Sequence, residues 1–328
     1  MSPAPDETAG CNGELLTPPE LDNVYRRDEA SFAKWAALSH DLSSSGFDLD
    51  TPVGDVFASN ATCALVPEVT IGPYYVAGEL FRSDVTDGQS GVPLHLDIQF
   101  VDISNCEGVS DLLVDIWHCN ATGVYSGVAS QGQGGLDTTH GRGVQASDGD
   151  GVVEFDTVFP GHYTGRTTHI HMMSTADPER FDNGTFAGGT AKHIGQLFFD
   201  TDLIHEVEKL EPYSTNAQTL TTNDQDNIAV SEATDEFDPF LNYVMLGDSL
   251  SDGLLTWAMI AIDTSADYND AVSVAANYYE DGGVANQNGG GPRGPGGPDA
   301  SGTSGSGDST VSPSPSAAGA ARARMLFF

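Results

Sequence analysis

The sequence has few basic residues, and this shortage limits the partners that the protein can bind. Its 328 residues include 12 lysines and arginines against 48 aspartates and glutamates, so the formal net charge is -36. Such a surface repels the phosphates of nucleic acids and the headgroups of anionic lipids. We therefore expect no nucleic-acid partner and no membrane partner. The acidic composition by itself predicts neither a fold nor an activity.

Long apolar runs are also missing. No run approaches the about 20 residues that a transmembrane helix requires. The first residues, Met-Ser-Pro-Ala-Pro-Asp, lack the basic and apolar parts of a signal peptide. Two interpretations stay open: a cytoplasmic protein, or a mature chain whose signal has been removed. The second is favoured by three Asn-X-Thr glycosylation sequons together with an even number of cysteines, and it predicts a secreted glycoprotein. The sequons are at Asn60, Asn120 and Asn183.

Cysteine is scarce as well, and the four cysteines show no spacing typical of a metal-binding knuckle. They are Cys11, Cys63, Cys106 and Cys119. Cys106 and Cys119 flank two consecutive predicted strands, 94–103 and 111–118. If these strands are neighbours, a disulfide between the two cysteines would suit them, although the sequence does not determine the pairing.

The pattern of apolar and turn-forming residues along the chain predicts a mainly β protein, with an antiparallel β-sandwich core, a short helical N-terminal extension and a disordered C-terminal tail. Alternating apolar residues between Gly, Asp and Asn turns indicate antiparallel strands from 63 to about 199. We expect long loops over 200–245 and a last buried strand over 254–262. The tail is rich in Gly, Pro and Ser and cannot bury enough apolar surface to order itself. The predicted units are 1–50, 51–280 and 281–328.

The predicted N-terminal helices lie within residues 18–40. Apolar side chains recur there near a helical period. They are Leu21, Val24, Tyr25, Phe32, Trp35 and Leu38.

The segment with the most chemical information is His169-Ile-His171. Because strand side chains alternate, both imidazoles are expected on one face, and Tyr163 and Arg166 lie just upstream. Two imidazoles and a phenol would be half of a metal site. An isolated His-X-His pair more often reflects packing than metal binding, so the rest of the chain has to supply the other ligands.

Six separated motifs supply them, in an order that resembles the intradiol ring-cleavage dioxygenases, the family of catechol 1,2-dioxygenase and protocatechuate 3,4-dioxygenase. Within that family the chain looks most similar to secreted fungal-type members, which share its compact Gly-His-Tyr-Thr-Gly-Arg segment. The resemblance covers about residues 63–200. The motifs are Gly72-Pro-Tyr74, Gly91-Val-Pro-Leu94, Trp117-His-Cys-Asn-Ala-Thr-Gly-Val-Tyr125, Pro160-Gly-His-Tyr163, Arg166-Thr-Thr-His-Ile-His171 and Gln196.

The resemblance implies that four of these residues hold a mononuclear non-haem Fe(III). The ligands would be Tyr125, Tyr163, His169 and His171. A phenolate is a hard anionic donor that suits Fe(III), and the cation would drive each tyrosine far below its usual pKa of about 10. The 2-His-1-carboxylate set of Fe(II) oxygenases is different, and no carboxylate is spaced for it here.

The resemblance also implies a reaction, the intradiol cleavage of a catechol by dioxygen to a cis,cis-muconate. Tyr163 would leave the metal when the substrate binds, Arg166 would stabilise negative charge with a fixed cation, and Gln196 would help to orient reacting groups. Tyr74 and Tyr75 would line the substrate cleft, with Arg166 also contacting the substrate. The expected partners are therefore a small catechol and dioxygen.

Two departures from the bacterial members are visible. Only Thr164 and Gly165 separate Tyr163 from Arg166, where bacterial enzymes carry a longer loop that walls the pocket, so we expect a more open site. The long helical dimerisation region is also missing, which predicts a monomer or a dimer of another kind. Because the protein is strongly acidic, we expect neutral catechols rather than anionic ones.

Two other classes of protein remain as alternatives. One is a non-catalytic β-sandwich that binds a ligand or a cell surface. The other is a copper or zinc protein in which further histidines join the His-X-His pair. The candidates for that role are His118, His140, His162 and His193.

Overall fold

The computed structural model describes residues 29–58, 63–180, 186–279 and 281–286. In these ranges α-helices form at 29–36 (α1), Val53–Ala58 (α2), Thr201–Val207 (α3) and Asn227–Glu232 (α4). The strands are β1 Val76–Ala77, β2 Pro93–Asp102, β3 Leu113–Trp117, β4 Arg142–Ala146, β5 Val152–Val158, β6 His169–Ala176, β7 Glu179–Arg180, β8 Phe186–Ala187, β9 Thr190–Phe198, β10 Asn242–Met245, β11 Leu254–Ile262, β12 Ala276–Tyr279 and β13 Gly282–Ala285. None of the helices in these ranges has the length and apolar character that crossing a membrane requires.

Two four-stranded sheets form the core, which confirms the mainly β prediction. One has the order β10-β11-β2-β5 and the other β4-β3-β6-β9. Neighbouring strands in the two sheets are antiparallel except for the parallel pair β11 and β2. Alternate residues of β2, from Leu94 to Phe100, pack against Ile170 and Met172 of β6 in the shared apolar core. The predicted strand at 254–262 is confirmed as β11.

The outer face of the second sheet is covered as well, and this cover creates a second buried layer. A smaller sheet has the order β1-β12-β13, and residues of β1 and β12 pack with the neighbouring Tyr75 in an apolar cluster that includes Trp117 and Met173. Strand alternation puts His169 and His171 on the same face of β6 as Met173. Both histidines therefore lie between the sheet and its cover rather than in the sandwich core.

The suggested Cys106–Cys119 disulfide is wrong. Cys106 is bonded to Cys63, and Cys119 is a buried free thiol that donates a hydrogen bond to the Gly161 carbonyl. The physical reason is that β2 and β3, although consecutive, belong to different sheets. Cys11 lies outside the described residues.

The N-terminal helix and the predicted loops differ in outcome. Helix α1 lies within the predicted helical region and buries Phe32, while Leu21, Val24 and Tyr25 lie outside the described residues. The expectation of long loops over 200–245 is wrong in part, because α3, α4 and β10 form there. Strand β13 begins two residues after the predicted boundary at 280, and residues 287–328 lie outside the described ranges.

His40 links the segment after α1 to the rest of the molecule. Its ring lies between the carboxylates of Asp200 and Asp238, and only 3% of the residue is exposed. Burial lowers the pKa of His40, but the hydrogen bonds to Asp200 and Asp238 outweigh it and raise that pKa from 6.5 to about 9. Because the folded pKa exceeds the unfolded one, the stabilisation is complete below pH 6.5 and is lost as the pH rises through about 9.

We expect His40→Gln to lower the free energy of unfolding by roughly 2–3 kcal/mol near pH 6, with the difference from wild type shrinking as the pH rises from 6.5 to about 9. Urea unfolding between pH 6 and pH 10 measures this difference. His205→Gln, at an exposed position of α3, provides the control for the loss of a histidine outside the His40 ion pairs. A constant difference between wild type and His40→Gln across this range would contradict the ion-pair role.

Candidate metal centre

His169 and His171 face each other on β6, and both are almost fully buried. Their Nε2 atoms are 3.1 Å apart. The Nδ1 atom of His169 lies 2.6 Å from the carbonyl oxygen of Thr167. Since a carbonyl only accepts, His169 Nδ1 carries the proton and donates it, and Nε2 is left with a free lone pair. This tautomer is the one that binds a metal through Nε2.

Tyr125 reaches the same point from the loop after β3. The Asn120 side-chain oxygen accepts hydrogen bonds from the backbone N–H groups of Thr122 and Val124, and Gly123 takes a left-handed conformation with φ of 77°. This turn buries Tyr125 completely, with its Oη 3.4 Å from His169 Nε2. The Asn120 side-chain nitrogen, to which a glycan would be attached, donates a hydrogen bond to Gln89 Oε1 at 3.1 Å, which argues against its use as a glycosylation site.

Tyr163 comes from the tight turn between β5 and β6. Gly165 makes the turn possible with φ of 91°, and Tyr163 and Arg166 form an isolated bridge across it. The Oη of Tyr163 lies 3.3 Å from His169 Nε2. Unlike Tyr125, Tyr163 is only partly buried. The two tyrosines therefore meet the same nitrogen, one from the interior and one from the surface.

The donor set fits a metal ion better than a hydrogen-bond network. The lone pair of His169 Nε2 can accept one good hydrogen bond, yet three polar atoms surround it at 3.1 to 3.4 Å. Ligands that bind one ion at about 2.0–2.2 Å are separated from each other by about 3 Å, which is the spacing found here. In the described parts of the chain, no three His, Cys, Asp or Glu side chains converge, so the set depends on tyrosines.

Burial keeps all four groups uncharged in the absence of a cation. It lowers the pKa of His169 and His171 well below 6.5, and Arg166 acts in the same direction on both. Burial raises the pKa of Tyr125 and Tyr163 above 10, and Arg166 offsets this only in part. The histidines are therefore ready to bind a metal, whereas the tyrosines must each lose a proton to become phenolates.

The ring of His171 is held by packing. It stacks on Trp117 with 4.9 Å between ring centroids and an interplanar angle of 5°. Gly72 also lies against this ring, since an added Cβ there would be 3.0 Å from His171 Cε1. Gly72 has φ of 75°, so both its conformation and its contact with the ring favour glycine. Among the residues that the structure describes, none hydrogen-bonds to His171 Nδ1, so these two contacts orient the ring.

Arg166 and Gln196 lie beside the four ligands. Gln196 pairs with His171 across β6 and β9, and its Oε1 accepts a hydrogen bond from Arg166 Nη2. Its Nε2 donates to the Thr70 carbonyl at 3.1 Å. Arg166 Nη1 lies 3.5 Å from His169 Nε2. The structure thus brings together six of the eight predicted site residues.

The last two predicted residues, Tyr74 and Tyr75, point in different directions. The ring of Tyr74 lies 4.7 Å from that of Tyr125, at the edge of the ligand cluster. The ring of Tyr75 packs on Trp117 instead and is buried. Only Tyr74 therefore has a position from which it could contact a molecule at the centre.

Comparison with known proteins agrees with this geometry. A family model described as Dioxygenase matches residues 71–236, half of the chain. A solved intradiol ring-cleavage dioxygenase from Tetranychus urticae is similar at 29% identity and a TM-score of 0.53, over 63% of this chain and 98% of that one. The chain belongs to the intradiol ring-cleavage dioxygenase family. A second solved dioxygenase structure is similar to this chain at 28% identity and a TM-score of 0.52, over 63% of this chain and 98% of that one.

A solved catechol 1,2-dioxygenase from an Acinetobacter species also matches this chain, at 18% identity and a TM-score of 0.41, over 78% of this chain and 81% of that one. The search of curated proteins returned no match.

The other histidines of the dioxygenase are engaged elsewhere. His118 contacts the Cys119 carbonyl and Thr157, and His140 contacts the Val124 carbonyl. His162 and His193 each contact a glutamate, Glu208 and Glu68 respectively. None of the four reaches the ligand cluster, so the copper or zinc alternative lacks the extra ligands it requires.

Sequence reasoning missed two acidic residues of the site, Asp226 and Glu232, because they lie where loops were expected. Asp226 accepts a hydrogen bond from Arg166 Nε at 2.8 Å, and Glu232 accepts one from the Gln196 backbone N–H at 3.2 Å. The signal that could have found the helix is Asp226 followed by Asn-Ile-Ala-Val, an N-cap before a short helical run.

We expect Gly72→Ala to lower both the free energy of unfolding of the dioxygenase and the amount of metal that the purified protein retains. The left-handed conformation costs about 1–2 kcal/mol for a residue with a Cβ, and the methyl group would also displace the His171 ring. Gly46→Ala is the matched control, since Gly46 has φ of 78° but nothing within 4 Å of an added Cβ. Urea unfolding and metal analysis measure the two effects. Equal metal retention in the two variants would rule out the steric role of Gly72.

Proposed function

We propose that this dioxygenase binds Fe(III) through Tyr125, Tyr163, His169 and His171 and cleaves catechols between the two hydroxyl-bearing carbons to give cis,cis-muconates. The observation that supports this most strongly is the convergence of two phenol oxygens and two imidazole nitrogens at one buried point. Two anionic phenolates with two neutral imidazoles suit a hard trivalent ion better than a soft one. Bound there, the ion would withdraw electron density from a chelated catechol and open the ring to dioxygen.

The two tyrosines differ in a way that suits different roles. Tyr125 is fully buried and is fixed by the Asn120 turn, so we assign it a permanent ligand role. Tyr163 is partly exposed on a turn of two intervening residues, so it can move without disturbing a strand. We assign Tyr163 the role of the ligand that leaves when the catechol binds, with its Oη accepting a catechol proton.

Arg166 supplies a fixed positive charge beside the centre. Its side chain is mostly buried, and a guanidinium stays protonated because its pKa lies far above neutrality. Negative charge that develops on a bound catechol would therefore be stabilised without any proton transfer from Arg166. Gln196 would contribute by holding the guanidinium through its Oε1.

The substrate is expected to be a neutral catechol that enters past Tyr74 and the Tyr163 turn. Thr164 and Gly165 of this turn are exposed, so they leave the centre open to small diols. The net charge of -36 disfavours the approach of anionic catechols such as carboxylated ones. Tyr74 and Arg166 are the candidate substrate contacts, whereas Tyr75 packs on Trp117, which in turn stacks on His171.

We also propose that the dioxygenase acts outside the cell. The Cys63–Cys106 disulfide supports this assignment, because disulfides persist mainly in oxidising compartments.

The purified wild-type protein should contain about one iron per chain and be red, since phenolate-to-Fe(III) charge transfer absorbs visible light. Incubation with catechol and dioxygen should give a colourless ring-opened muconate. Iron analysis, a visible spectrum and product chromatography measure these outcomes. A yellow semialdehyde would indicate cleavage outside the diol. A folded protein that holds copper or zinc instead, or that neither binds iron nor consumes dioxygen, would refute the proposal.

Arg166→Ala should keep the iron and the red colour but lower kcat/KM by about 10²–10³-fold, the range found when one charge-stabilising group is removed. Tyr163→Phe should shift the colour, because one phenolate is lost. Arg82→Ala is the matched control: Arg82 is paired with Asp87 away from the centre, and its loss should leave turnover unchanged. Steady-state kinetics and visible spectra distinguish these cases. Unchanged turnover in Arg166→Ala would remove its assigned role.

A further inference from the structure

The guanidinium of Arg166 is held along one edge by two side chains. Nε donates to Asp226 Oδ2 at 2.8 Å, and Nη2 donates to Gln196 Oε1. A guanidinium is planar, so two anchored nitrogens set the orientation of the whole group. The nitrogen that remains, Nη1, lies 3.5 Å from His169 Nε2 and is directed at the ligand centre.

Asp226 is itself rigidly placed. Its Oδ1 accepts a hydrogen bond from the backbone N–H of Ile228, and its Oδ2 accepts one from that of Thr167, both at 2.9 Å. Only 2% of Asp226 is exposed. Thr167 is also the residue whose carbonyl fixes the His169 tautomer. One buried carboxylate therefore joins the start of α4, the chain leading into β6, and the cation of the site.

The opposite end of α4 supports the other anchor of Arg166. Glu232, the last residue of the helix, is fully buried, and its Oε1 accepts a hydrogen bond from the Gln196 backbone N–H. The Gln196 side chain spans from Arg166 Nη2 to the Thr70 carbonyl. Both residues that hold the guanidinium are thus held in turn by α4.

A purely structural role for Asp226 would require less than this. An N-cap needs one side-chain oxygen that accepts from the first turn, and serine or asparagine provides it as well as aspartate does. The bond to Ile228 alone meets that need. The second oxygen is turned away from α4 toward Arg166 and Thr167, and only a carboxylate can accept there while balancing a buried cation.

We propose that Asp226 is a positioning residue, which directs the Arg166 guanidinium at the substrate bound to the ligand centre. The inference deepens the proposed function and rests on it for the identity of the substrate. Asp226 does not touch the reacting atoms. It acts by restricting the cation to one orientation, so that charge stabilisation is available without reorganisation during the reaction.

The test compares Asp226→Asn and Asp226→Ser in the iron-loaded protein with the matched control Asp224→Asn. Both residue 226 variants keep a helix-capping oxygen but lose the carboxylate, and Asp224 is an exposed acid two residues away that contacts Thr222 rather than Arg166. We expect kcat/KM for catechol to fall by about 100-fold in both residue 226 variants, the cost of a misplaced group, while iron content stays at the wild-type level. Asp224→Asn should match wild type.

A double-mutant cycle with Arg166→Ala separates positioning from general destabilisation. If Asp226 acts through Arg166, replacing it in the Arg166→Ala background should change turnover by less than about twofold, because the orientation of an absent group no longer matters. Titration with catechol in the absence of dioxygen gives a second measurement. The dissociation constant for catechol, read from the visible spectrum, should be higher in Asp226→Asn than in the wild type. In the double variant it should be no higher than in Arg166→Ala.

The outcomes are distinct. Two results would overturn the positioning role and leave the proposed function intact, provided that the wild-type protein cleaves catechol. One is full activity in Asp226→Asn. The other is a double variant whose loss of kcat/KM equals the product of the losses in the two single variants. Failure of the wild-type protein to cleave any catechol would instead overturn the proposed function. If Asp226→Asn does not fold, Asp226→Ser decides by the same criteria, with circular dichroism and thermal unfolding reporting its fold.

Discussion

The site depends on one constraint: His169 Nε2 is an unprotonated nitrogen in a buried place where three other polar atoms meet it. The Thr167 carbonyl imposes this state by accepting the proton of Nδ1. Neither tyrosine nor His171 can be satisfied fully by a single lone pair, and Tyr125, His169 and His171 are almost fully buried. A cation at this point resolves the conflict for all four groups at once. The alternation of β6 and the cover over its outer face place both histidines at this point.

The surrounding charges are arranged so that a second cation, Arg166, can stay close to the centre. Beside a metal it would be repelled, and burial alone already disfavours its charge. Asp226 offsets both effects through a direct ion pair at 2.8 Å. Glu232 adds a buried carboxyl whose pKa burial raises well above 4.5, so it contributes a hydrogen-bond acceptor with little negative charge. The positive charge of Arg166 is therefore held beside the ligand cluster.

The sequence predicted what depends on local spacing and missed what depends on long-range packing. His169 and His171 could be placed on one face because a strand alternates, and Tyr125 and Tyr163 followed from motifs whose order resembles a family. Asp226 could not be found that way, since its partner Arg166 is 60 residues distant and no periodicity marks the contact. The prediction of a Cys106–Cys119 disulfide failed for the same reason, because strands that follow each other in the chain belong to different sheets.

The short turn between Tyr163 and Arg166 is supported by another part of the fold. Two residues cannot form a pocket wall, but the turn is braced by a segment that precedes α4. The Thr164 and Gly165 backbone N–H groups donate to Gln218 and Thr221, at 3.3 and 3.1 Å. That segment ends in Asp226, so the support of the Tyr163–Arg166 turn and the support of the Arg166 cation come from one continuous stretch of chain. The bonds to Thr164 and Gly165 are exposed and long, whereas the bond between Asp226 and Arg166 is shorter and partly buried, so we expect the turn to yield before the ion pair does.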